Sequence, residues 1–189
     1  MKKMYKGMVL LLGAAMLICV SVIGTLAYLK MQTPTITNTM TLGKVEITLQ
    51  EYGINADGSI DRTTVTQGVT DIKLVPGRKI EKNPFITVAA NSEDCYLFVE
   101  IVNGLGADAD IHMVENWTQI AGTNYWMYTR RVSAEDKVDV FDYFTCSSGM
   151  ENNTTYDNIT IAITACAVQA EGFDSAQAAW TASGFGANP

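Results

Sequence analysis

The sequence predicts an all-β fold: an antiparallel β-sandwich, jelly-roll-like, with one or two short helices, preceded by an N-terminal signal or apolar helix. Three observations lead there. Most of the chain beyond Gly43 alternates apolar and polar residues with period two, turn residues interrupt it at short intervals, and strands do not alternate with long amphipathic helices as a parallel sheet requires. The chain has 189 residues, 48% hydrophobic and 17% charged, which suits one ordinary domain plus an extension.

Residues 1–27 read as a signal peptide. Lys2, Lys3 and Lys6 precede the uncharged apolar run Met8 to Ala27, the order of a basic n-region followed by an apolar h-region. Small residues at Thr25 and Ala27 occupy the positions a signal peptidase reads, which predicts cleavage between Ala27 and Tyr28. A retained anchor is the competing reading, because Met8 to Leu29 also meets the length of about 20 apolar residues that spans a bilayer. The basic flank would then hold the body of the chain outside the cell. Either way the domain is extracytoplasmic and meets a membrane only through this segment. Residues 28–40 form a linker or a donor strand, and residues 41–189 the sandwich domain.

Within that domain Val45, Ile47 and Leu49 alternate with polar neighbours, as in a strand with one wet face. Asn55 to Ser59 reads as a turn, Ile72 to Leu74 as a short strand, and Pro76-Gly77 as the centre of a type II turn. Phe85 to Ala89 is extended. Cys95 to Val102 is apolar at both parities, the mark of a central strand covered on both sides. Asp108 to Ile120 reads as a short helix capped by Asp110, with Ile111, Val114 and Trp117 at helical spacing. Strands resume over Tyr125 to Val132, Val138 to Cys146 and Ile159 to Val168. Asp174 then caps a last helix through Ala176, Ala179 and Trp180. Tyr96, Leu97, Phe98, Val99, Ile161, Ile163 and Trp180 are the expected core.

Chemistry-bearing patterns are few. Thirteen Lys and Arg against 20 Asp and Glu give a net charge of −7, and the basic cluster a nucleic-acid surface needs is missing outside the N-terminus. The single histidine, His112, has no HExxH around it and reads as a surface or packing residue. Gly53 to Thr64 superficially resembles a calcium loop, but Gly53 and Thr64 stand where acids are required, so it reads as a hairpin. Asp136, Asp139 and Asp142 read as a solvated surface, Asp139 and Asp142 having opposite parity on one strand. Cys95, Cys146 and Cys166 read as buried thiols rather than a disulfide. No catalytic, cofactor-binding or metal residue is assigned, and the chain reads as a non-enzyme.

Several stretches carry a resemblance. Gly24-Thr25-Leu26-Ala27-Tyr28-Leu29 followed by Thr37 to Ile47, Leu74-Val75-Pro76-Gly77 with Lys82-Asn83-Pro84, Asp94 to Glu100, and Cys166 to Phe173 with Ala179-Trp180 occur in a specific order along the chain. Together they resemble the SipW-dependent exported proteins of the TasA/camelysin family of Gram-positive bacteria. The resemblance implies processing by a SipW-type signal peptidase and a jelly-roll domain at the cell surface or in the biofilm matrix. In the TasA branch it implies self-association into filaments by donor-strand exchange, with Thr33, Thr35, Ile36, Thr37 and Met40 as the candidate donor strand. The alternative is an anchored or secreted binding module for glycan or a host surface. A camelysin-like metalloprotease is a third reading, against which stand the single histidine and the absence of a zinc motif.

Mass spectrometry of the native exported protein should find Tyr28 as its first residue; a mass that retains Met8 to Ala27 would show the anchor form.

Overall fold

The computed structural model describes residues 5–9, 11–16, 43–55, 57–68, 72–150 and 159–186. The chain divides into two compact units, Met1–Thr41 and Leu42–Pro189. In the first, residues 5–9 and 11–16 are helical and exposed. Among the described residues no helix is long and apolar enough to cross a membrane.

The second unit is an all-β antiparallel sandwich, with eleven strands among its described residues. In chain order these are β1 (Ile47–Ile54), β2 (Ile60–Thr66), β3 (Lys79–Glu81), β4 (Pro84–Val88), β5 (Cys95–Asn103) and β6 (Ala109–Met113). There follow β7 (Trp117–Gln119), β8 (Tyr125–Tyr128), β9 (Lys137–Asp139), β10 (Phe141–Cys146) and β11 (Ile161–Gln169), then a helix over Ala176–Ser183. Hydrogen bonding gives three sheets, ordered β2-β1-β4-β9, β3-β10-β6 and β11-β5-β8-β7.

The first two sheets are arms of one bent surface. β3 passes into β4 through Lys82 and Asn83, and β9 passes into β10 through Val140. Backbone bonds continue across the bend, from Lys82 N–H to the Asp142 carbonyl at 3.2 Å and from Val140 N–H to the Pro84 carbonyl at 2.8 Å. Pro84 has no N–H to return, so the regular ladder breaks where the chain turns.

The core lies between this surface and the β5 sheet. Ile47, Leu49, Ile86 and Val88 pack with Leu97, Val99, Ile101, Ile161 and Ile163, and Trp117, Val138 and Phe141 belong to the same cluster. The other face of β5 is covered too. Tyr96 and Phe98 pack under Ala176, Ala179 and Trp180 of the helix and under Phe185 beyond it. Phe98 is fully buried, its ring centroid 5.4 Å from that of Trp180. The two-sided reading of Cys95 to Val99 therefore holds, while Val102, at the end of the strand, is 49% exposed. A third cluster, Leu105, Ala109, Phe144, Cys146 and Met150, packs with Ile80 and Ile111 of the second sheet and with Ile159 and Ile161.

Several expectations are corrected. Asp108 to Ile120 is not a helix: a 3-10 turn (Gly106–Asp108) ends at its first residue, and β6 and β7 follow. Ala109, Ile111 and Met113 also alternate with period two, and pairing of β6 with β10 decides between the patterns. Residues 72–75 carry no strand; Leu74 packs against the third cluster from an irregular segment. The Pro76-Gly77 turn is as expected, with Arg78 N–H on the Val75 carbonyl at 3.0 Å and Gly77 at φ 72. Val138 to Cys146 is two strands in different arms, so the parity argument for Asp139 and Asp142 does not apply. The last helix is capped by Ser175, whose Oγ accepts from Ala178 N–H at 3.2 Å, rather than by Asp174. Ile161, Ile163 and Trp180 are half-buried rather than buried. For the two isoleucines the cause is position, because β11 lies at a sheet edge.

Phe98→Ala should lower unfolding free energy in urea melts by about 3 to 5 kcal/mol. Val102→Thr, at a half-exposed site, should stay within about 0.5 kcal/mol of the parent.

Candidate functional site

The inner strands of the sandwich are sealed and one of its sides is not. Core-facing Ile86 and Leu97 are 0% exposed. Their counterparts Ile47 and Leu49 on β1, and Ile161, Ile163, Ala165 and Ala167 on β11, face the same core but are only half-buried. The pairing pattern gives the reason. β2 covers β1 only from Glu51 to Ile54, while β4 pairs with Ile47 to Glu51 from the other side. Among the described residues, the first half of β1 thus has a ladder on one side only. β11 pairs along all nine residues with β5 and with no other described strand.

Other edges are blunted in ways that discourage pairing. β3, β7 and β9 are three residues long. β2 carries Asp61, Arg62, Thr63 and Thr64 on a largely exposed strand. β6 places Asp110 and His112 outward. β11 is long and lacks any charged residue, so its N–H and C=O groups and half-covered apolar face make the most receptive edge described.

At one end of this side sits a buried charge pair that periodicity did not single out. Glu51 is 5% exposed and Lys82 8%, and Lys82 Nζ donates to Glu51 Oε2. Glu51 continues the inward parity of Ile47 and Leu49, so an acid in the apolar row was the available signal. A small cavity of about 70 Å³ adjoins the pair, lined also by Leu49, Pro84 and Ile163.

The other singled-out groups are engaged locally. His112 is exposed on β6, its Nδ1 2.7 Å from Asp142 Oδ1 and its ring stacked on Tyr143 at 4.4 Å. Gly53 to Thr64 is the β1–β2 hairpin, with Gly53 opposite Asp61. The side-chain hydroxyls of Thr63 and Thr64, with the Thr63 N–H, hold the Asp61 carboxyl down at about 2. Among the described residues no three His, Cys, Asp or Glu side chains converge as a metal site would need. Ala27, Tyr28, Thr33, Thr35, Ile36, Thr37 and Met40 lie outside the described residues. Comparison with protein-family models, with curated proteins and with solved structures gave no match.

Cys95, Cys146 and Cys166 are free thiols. Burial, with the charge of Asp94 adding to it, pushes Cys95 up to about 11, and burial also raises Cys146 and Cys166. The thiolate is the reacting species, so the folded protein at pH 8 should alkylate far more slowly than free cysteine. Unfolding without reductant should expose Cys95, Cys146 and Cys166 to complete labelling; one label among the three would mean a disulfide.

Proposed function

We propose that the chain is a secreted cell-surface structural protein, a TasA-like biofilm-matrix subunit released by a SipW-type signal peptidase and assembled into filaments by donor-strand exchange. In this reading its role is structural rather than catalytic. The observation that carries it is the contrast between sealed β4 and β5 and the half-covered inner residues of β1 and β11. A strand laid along such an edge satisfies its free N–H and C=O groups and completes the burial of the side chains beneath.

The segment Thr33 to Met40 has the composition for that task. Thr33, Thr35 and Thr37 favour extended backbone, and Ile36, Met40 and Leu42 share one face that can cover the apolar row. Pro34 lacks an N–H and is tolerated at an edge. A donor from one subunit entering the next makes a head-to-tail contact, which propagates instead of closing.

Protein beginning at Tyr28 should form filaments in negative-stain electron microscopy, and protein beginning at Thr41 should stay monomeric with a β-rich circular dichroism spectrum. Equal filaments from both would refute the donor role. A Tyr28 form that stays monomeric at every concentration and pH tried would favour the extracellular binding module instead.

A further inference from the structure

We propose that Glu51 and Lys82 are joined by an intramolecular isopeptide bond, an amide between Glu51 Cδ and Lys82 Nζ that ties β1 to the start of β4. The inference concerns chemistry inside the domain and stands whether or not the chain polymerises.

Register brings the two groups together. Glu51 lies opposite Pro84 across the β1–β4 ladder, and Lys82 precedes Pro84 by two positions, which places the pair diagonally on the core-facing side. Their side chains are 6% and 9% exposed and already hydrogen-bonded. Leu49, Gln50, Gln67, Pro84 and Ile163 border them around a partly open cavity. A buried ion pair of this kind is often no better for stability than apolar residues of equal volume.

In the proposed step the ammonium proton passes along the existing hydrogen bond to the carboxylate, leaving a free amine against a carboxylic acid. The Nζ lone pair attacks Cδ, and the Nζ–Cδ bond forms. Nζ then gives up one proton to the departing hydroxyl, the Cδ–O bond breaks, and one water leaves. An ammonium and a carboxylate have become an amide and water, with no oxidant, reductant or activating group consumed. Fixed proximity raises the effective concentration of amine at the carboxyl carbon, as in other intramolecular acyl transfers. The adjoining cavity gives the expelled water an exit.

Tryptic mapping of the denatured, full-length protein tests this directly. Trypsin does not cut after an acylated lysine, so the expected product is a branched peptide that contains both Glu51 and an uncut Lys82, lighter than its two linear parts by one water. K82M and E51A should each abolish the branched species, and K82M should return the protein to its full sequence mass. If the parent protein instead yields a linear peptide starting at Asn83, with no branched partner and no mass deficit, the cross-link does not exist. Because the parent protein alone decides the matter, a variant that folds poorly cannot obscure the result.

Discussion

β5 must be dry on both faces, and the placing of the other layers follows from that requirement. Leu97 and Val99 fill the space between the sheets while Tyr96 and Phe98 point the opposite way, and all four are buried. A two-sheet sandwich covers only the first set. The helix over Ala176–Ser183 supplies the missing third layer, with Ala179 at 0% exposure where a larger side chain would hold the helix off the sheet. β11 pairs along the whole of β5 on one side and β8 with Phe98 to Glu100 on the other, so the strand has its full ladder and both faces covered only when β11 and the helix are in place.

Where the sequence was legible, one pattern had no rival. β5 was readable because both parities are apolar over Cys95 to Val99, which no amphipathic helix produces. The Val75 to Arg78 turn was readable because Gly77 alone there accepts a positive φ without strain. Asp108 to Ile120 was misread because Ile111, Val114 and Trp117 fit a helix while Ala109, Ile111 and Met113 fit a strand. The partner that settles it, β10, lies some thirty residues further along the chain. The split of Val138 to Cys146 was invisible for a similar reason: the bend at Val140 is set by Pro84 on the facing strand, not by any breaker of its own.

Edge position explains what composition could not. β5 and β11 are similarly apolar, yet the first is sealed and the second half-covered, because burial depends on how many neighbours a strand has and not on its own residues. Along β1 the described partners change over: β4 pairs with Ile47 to Glu51 and β2 with Glu51 to Ile54, so only Glu51, the acid of the Glu51–Lys82 pair, has a strand on both sides. A protein can leave such a side open at little cost while the exposed residues are few and small, and Ala165 and Ala167 keep the apolar area on β11 modest.

The pairing of β5 with β11 also governs timing. Cys95 pairs with Gln169 and Asn103 with Ile161, so the central strand waits for residues made long after it. As the chain emerges from its N-terminus, β1 to β4 can meet first, but the inner face of that half has no opposing sheet until β5 is laid down. The outer face of β5 stays wet until the helix over Ala176–Ser183 arrives. The core of the nascent domain therefore closes only once β11 and that helix have been made, and a chain cut before β11 leaves its most apolar strand without its longest ladder and without its outer cover.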